Sequence, residues 1–211
     1  MPPVGERSPW LTTRKTGLVN EVIAVILGYL LGSIPSAHII GCLAGKVDVR
    51  KEDDGRISAA AVYRRLGVVS FLLVVVMDVG KGALAVLTAR MLIESVIAVL
   101  ITGFAAVVGH NWSIFLKFKG GLGATVIYGV LAGLVLWQFL IGAAIAAIPF
   151  LTTRKSGLST AILIIAVSIV LLVQNSSLIL VIYPLILILL MVLKRFQVSR
   201  AGSYPDEMVL F

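Results

Sequence analysis

Two groups of residues in this chain carry side chains able to do chemistry. The first lies in the stretch Gly109 to Thr125, GHNWSIFLKFKGGLGAT, which holds His110, Lys117, Lys119 and the turn Gly120-Gly121-x-Gly123. Glycines without side chains let successive backbone N–H groups face an anion, and neighbouring lysines add the positive charge that suits phosphate. The second is Asp78 and Lys81, spaced i,i+3 inside an apolar run and therefore on one face of a helix. For each group a plainer reading stands beside the chemical one. The glycine-rich stretch also fits a re-entrant turn that uses glycine for close backbone approach, and the acid–base pair also fits a structural ion pair between packed helices.

The surroundings raise the stakes of both groups. Of 211 residues, 59% are hydrophobic and 13% charged, with a mean hydropathy of +1.07. Globular chains are nearer half apolar and a quarter charged, so this is a polytopic membrane protein without room for a separate soluble domain. Polar groups within such a chain are costly unless they line a cavity or the bilayer surface. The net charge of +8 is read as positive residues held against an anionic membrane leaflet, and nucleic acid is not expected as a partner. The single cysteine, Cys42, lies in the first apolar run and excludes an intrachain disulfide or a thiolate metal cluster. His38 and His110 are not at metal-ligand spacing with any cysteine or carboxylate pair, so no metal and no cofactor is expected.

Taken in order, residues 1–17 form a polar tail, residues 18–195 a single transmembrane domain, and residues 196–211 a second tail. The first apolar run, Leu18 to Leu31, is read as a membrane span and not a cleaved signal, because the pattern resumes after Pro35 as far as Leu43. Gly32-Ser33-Ile34-Pro35-Ser36 should kink it and free backbone groups toward a cavity. Lys46 to Gly67 reads as the one long charged loop. Spans follow at Val68 to Met91 and Ile93 to Val108. Ala124 to Leu151 is long for one crossing and carries Trp137-Gln138 near its middle, which predicts two short helices folded back as a hairpin, one tilted helix being the alternative. Ala161 to Val173, a turn at Gln174 to Ser177, and Leu178 to Leu193 complete about seven helices, an all-α fold, before a basic tail with Lys194, Arg195 and Arg200. Trp10, Trp112 and Trp137 are read as interfacial anchors. Placing the long loop, the glycine-rich segment, residues 152–157 and the C-terminus on one side collects thirteen basic residues against four, which puts that side in the cytoplasm.

The motifs, taken together, resemble the bacterial acyl-phosphate glycerol-3-phosphate acyltransferases of the PlsY type. The likeness runs from about Gly28 to the seventh span: GSIPSAHIIG from Gly32, then Asp48-x-Arg50, then Arg64-Arg65-Leu66-Gly67 in place of R-x-x-G, Asp78-x-x-Lys81-Gly82 in place of D-x-x-K-G, and the segment Gly109 to Gly123 in place of G-H-x-x-P-x-F-x-x-F-K-G-G-K-G. The resemblance implies a seven-helix protein of the bacterial inner membrane whose active face is cytoplasmic. It implies transfer of a fatty acyl group from acyl phosphate to glycerol 3-phosphate, giving lysophosphatidic acid, with no cofactor. By position it makes Arg64 and His110 catalytic, Ser33, Asp48, Arg50, Lys119, Gly120, Gly121 and Gly123 substrate-binding, and Asp78 and Lys81 structural.

The chain also departs from that pattern. In gap-free alignment Asp54 and Arg56 stand where the family has a serine and an asparagine, Ser113 replaces a proline, Leu122 replaces the lysine of G-G-K-G, and the C-terminal H-R-E-N-I-x-R-L lacks its histidine and asparagine. The alternative is therefore a divergent, catalytically impaired paralogue that binds a lipid phosphate or serves as a membrane partner protein. A transporter is a further alternative, against which stands the absence of an inverted repeat in the hydropathy.

Overall fold

A computed structural model describes residues 17–45, 59–153 and 156–200. The described residues form eight α-helices: α1 (Leu18–Ser33), α2 (Ser36–Gly45), α3 (Ala59–Leu92), α4 (Val96–Asn111), α5 (Ala124–Leu134), α6 (Leu136–Thr153), α7 (Ser156–Val173) and α8 (Leu178–Arg200). Counted by length and apolar character, six stretches suffice to cross a membrane, the first being α1 and α2 together as Leu18–Ala44, and α5 is a shorter apolar helix beside them. The expected break of the first span falls at Ile34, whose extended backbone precedes Pro35, a residue that has no N–H to continue the ladder. Exposed Val19, Val69, Val76, Ile148 and Leu172 point outward, as lipid-facing side chains should.

Several expectations are refined. The segment read as loop as far as Gly67 is helical from Ala59 onward, consistent with the high helix propensity of Ala59-Ala60-Ala61. The helix kinks at Gly67, whose φ of 80° and ψ of −173° lie in a region open essentially to glycine alone. The turn between α5 and α6 is at Val135, two residues before Trp137. It folds the chain back, since the rings of Tyr128 and Phe139 lie 6.2 Å apart, whereas eleven residues of continuous helix would separate them by about 16 Å. The last helix runs on to Arg200, so Lys194 and Arg195 are helical and not part of a tail.

Glycine sets the helix spacing. A Cβ on Gly32 would overlap the backbone of Ala106, and one on Gly109 the backbone of Tyr29, so α1 and α4 meet backbone to backbone. The same holds between α3 and α5, where Gly82 faces Val126 and Gly129 faces Val79. Without a hydrophobic force between helices in lipid, such close approach supplies the dispersion contact that holds them. Around these seams pack Val86, Val107, Ile127, Val130, Leu131, Ile164, Val167 and Leu187, all buried.

A smaller cluster of Ala37, Ile40, Val62, Val74 and Leu116 ties α2 and both arms of α3 to the glycine-rich segment. Helix α5 runs beside only the later part of α3. Thr125 at its start bonds Asp78, and Gly133 near its end accepts from Arg90.

Replacing Gly32 by valine should therefore prevent stable assembly, because the obstructing atoms are main chain. Gly80, also in a helix but with open space where a Cβ would lie, should accept alanine with no loss or a gain of about 0.5 to 1 kcal/mol. Thermal unfolding of both variants in detergent checks the contrast, and equal losses would refute the backbone-contact account.

Candidate active site

At the break in the first span the carbonyl of Ile34 accepts from Ser36 N–H at 3.0 Å, and Lys81 supplies a second donor. Its Nζ lies 2.8 Å from Ile34 O, 3.4 Å from Ser36 Oγ and 3.0 Å from His110 Nδ1. Asp78, one turn earlier on α3, places Oδ1 2.8 Å from the same nitrogen. That oxygen has no well-angled hydrogen bond, so the contact is an ion pair. The other carboxylate oxygen accepts from Thr125 Oγ1 at 3.0 Å. Asp78 and Lys81 are 4% and 5% exposed, and their charges compensate each other where neither could stand alone. Four helices, α2, α3, α4 and α5, thus converge with the break after α1 on one polar knot.

A pocket opens beside this knot, lined by Ser33, Ser36, His110, Ser113 and Gly121 among others. The serines are held by the main chain or by Lys81. Ser33 Oγ donates to Gly109 O at 3.3 Å, Ser113 Oγ donates to Ser33 O, and Ser36 Oγ lies near Lys81. Among the described residues none of these contacts pairs a serine with His110, the arrangement that a covalent acyl-enzyme mechanism would use. Ser113, in place of the family's proline, ties the glycine-rich segment to the broken helix.

The segment itself is tightly turned. Lys117 and Phe118 both have positive φ, 51° and 63°, a conformation that costs non-glycine residues energy and often marks functional turns. Gly120 N–H donates to Asn111 O and Gly121 N–H to His110 O, each at 3.2 Å. These two donors cap the end of α4, which engages two of the N–H groups expected to face phosphate. The glycines are needed for another reason: a Cβ on Gly120 would overlap His110 O, one on Gly121 would press on His110 Nε2, and one on Gly123, whose φ is 87°, would meet Asn111 Oδ1.

Of the other residues singled out by sequence, Asp48 and Arg50 lie outside the described residues, as do Asp54 and Arg56. Arg64 and Lys119 are exposed. Val62 and Leu116, two and three residues before them, share the small cluster, which sets both cations at one end of the bundle. Leu122 packs against the main core, an apolar use of a position where the family has lysine. Sequence reasoning placed Lys194 in the tail, yet it is 4% exposed with its Nζ 4.5 Å from the centre of the Trp112 ring. Trp112 is accordingly a platform for a cation, and its own carbonyl accepts from Tyr29 at 2.9 Å. A helical register continued past Leu193 would have exposed this signal.

The sequence pattern described as Glycerol-3-phosphate acyltransferase matches residues 22–201. This chain belongs to that family. It is 40% identical over 146 residues to glycerol-3-phosphate acyltransferase 1 of Dehalococcoides mccartyi, covering 66% of this chain and 70% of the relative. It is 31% identical over 190 residues to glycerol-3-phosphate acyltransferase 2 of Bacillus anthracis, covering 90% and 100%. The fold matches the crystal structure of PlsY, an integral membrane glycerol 3-phosphate acyltransferase, in its lysophosphatidic acid form with a TM-score of 0.70 and 27% identity over 88% of this chain and 94% of that one. The glycerol 3-phosphate form gives 0.68 and 28% over the same shares. The acyltransferase is thus a multi-pass, all-helical membrane enzyme of this family.

The knot has a measurable signature. Lys81→Met alone should cost the acyltransferase about 3 to 5 kcal/mol by leaving Asp78 buried and uncompensated, whereas Asp78→Leu with Lys81→Met should cost much less than the two single losses combined. Unfolding in mixed detergent micelles, run as a double-mutant cycle, measures the coupling. Additive losses would mean that the two charges do not depend on each other.

Proposed function

We propose that this enzyme transfers a fatty acyl group from acyl phosphate to a hydroxyl of glycerol 3-phosphate, releasing lysophosphatidic acid and inorganic phosphate. The supporting observation is a pocket in a membrane bundle lined by Ser33, Ser36, His110 and Ser113, with Lys81 beside it and, among the described residues, no serine hydrogen-bonded to His110. An acyl phosphate is a mixed anhydride and needs no covalent enzyme intermediate. The hydroxyl oxygen forms the new bond to the acyl carbon, the bond from that carbon to the phosphate oxygen breaks, and the hydroxyl proton leaves with the phosphate. The protein has to orient the hydroxyl, stabilise charge on the phosphates and carbonyl, and leave the acyl chain in an apolar setting.

In this reading Arg64 and Lys119 hold phosphate at one end of the bundle, with Asp48 and Arg50 contributing from the segment 46–58, and Ser33 and His110 face the reacting centre. The thirteen-to-four distribution of basic residues supports a cytoplasmic location for that end and an inner-membrane setting for the protein. Lipid supplies the environment for the acyl chain, and Asp78 and Lys81 act as structure.

Purified protein in lipid should transfer palmitate from palmitoyl phosphate to glycerol 3-phosphate, and transfer from palmitoyl thioesters should be far slower. Arg64→Ala or Lys119→Ala should each reduce the rate roughly ten- to a hundredfold, the loss of one charge-assisted contact of about 1.5 to 3 kcal/mol. Wild-type protein that is folded yet inactive with both donors would overturn the reading.

A further inference from the structure

The protons around Lys81 can be assigned from the heavy atoms alone. An ammonium group has three donors and no acceptor, and Nζ is held in that form by the Asp78 carboxylate at 2.8 Å. Two of its neighbours, Ile34 O at 2.8 Å and Ser36 Oγ at 3.4 Å, are oxygens able to accept. The third is His110 Nδ1 at 3.0 Å. A hydrogen on that ring nitrogen would point at a cation. Asp78 Oδ1, the other group near Nδ1, is 3.7 Å away, too far to receive a hydrogen bond. Nδ1 is therefore the acceptor, and the proton of a neutral imidazole must sit on Nε2.

The far side of the ring faces the pocket. Nε2 abuts Gly121, where it would meet an added Cβ, and Gly121 and His110 both line the cavity. Among the described residues Nε2 makes no hydrogen bond, and the His110 side chain keeps 15% of its surface exposed.

We propose that Lys81 is a positioning residue that fixes His110 as the Nε2–H tautomer, so that His110 offers the substrate a hydrogen-bond donor and does not act as a base. Its acceptor is an anionic or carbonyl oxygen of the substrate, the phosphate and the acyl carbonyl sharing that chemistry. The assignment deepens the acyl-transfer reading and rests on it for the substrate, while the tautomer stands on geometry alone. Lys81 then has two tasks, closing the broken helix and setting the direction of one hydrogen atom.

The experiment uses the full chain in lipid nanodiscs. Nitrogen-15 spectra of histidine-labelled protein, with the His110 signals identified by their loss in His110→Gln, should show a protonated Nε2 and a bare Nδ1 without any substrate added. A protonated Nδ1 would overturn the proposal. Asp78→Leu with Lys81→Met, which removes both charges together, should release the ring into a mixture of tautomers. A pure Nε2–H form persisting in that variant would remove Lys81 from the account.

In the transfer assay His110→Gln, whose amide N–H can occupy the Nε2 place, should keep kcat within about tenfold, while His110→Ala should lose about a hundredfold or more, the scale of one oxyanion donor. Equal losses in glutamine and alanine variants that fold as wild type would refute the donor role. Inactive wild-type protein with the expected spectrum would sink the acyl-transfer reading and leave the tautomer intact. For phosphate and carbonyl, binding of inorganic phosphate that weakens in His110→Ala supports the first as acceptor, and unchanged phosphate binding with reduced kcat supports the second.

Discussion

The ammonium of Lys81 is the point on which the membrane bundle depends. A membrane span that breaks at Ile34 replaces the helical bond to that main-chain oxygen with a short-range one from Ser36 N–H, and main-chain groups left short of partners within a membrane are costly. One cation adds a second donor to that oxygen, but the cation needs a counter-ion, which Asp78 provides one turn away. The carboxylate in turn engages Thr125 on the short fifth helix, and the ammonium engages His110 on the fourth. Each partner resolves a difficulty created by the previous one. The cluster is stable because it is closed on itself, and it faces the pocket because the broken helix does.

Much of this was legible in the sequence because membrane helices announce themselves by length and composition. The kink came from Pro35, the paired charges from i,i+3 spacing, and the fold-back before Trp137 from a run too long for one crossing. The convergence was not legible: Ile34, Asp78 and His110 lie far apart along the chain, and no local pattern encodes their meeting with one another or with Thr125. Gly120 and Gly121 carry two readings for a physical reason. Glycine permits both an outward-facing anion nest and a close approach of main chain to main chain, and sequence cannot tell which. Lys194 was missed because a charge near a helix end is usually solvated, whereas here the aromatic face of Trp112 receives it.

Two departures from the family pattern become intelligible at the level of single contacts. Ser113 replaces the rigidity of a proline with a hydrogen bond to Ser33 O, and Leu122 joins the apolar core. Both changes keep the glycine-rich segment in place by other means. The cations that remain, Arg64 and Lys119 on the surface and Lys194 inside, are drawn from different elements, so the electrostatic character of this end of the protein does not rest on one motif.

The glycine seams bear on how such a sequence can drift. Where the neighbours are side chains, as Tyr183, Val130 and Val86 are for Gly103, further substitutions can trim the obstruction and rescue a larger residue. Where the neighbour is a main-chain carbonyl, as at Gly32, Gly109, Gly120 and Gly129, no exchange of side chains elsewhere removes it. Those positions are closed to compensation, while polar positions around the pocket stay open to it. A lineage of these enzymes can therefore exchange the groups that meet its substrates more readily than the bare stretches of backbone that hold its helices together, and its architecture should outlast its specificity.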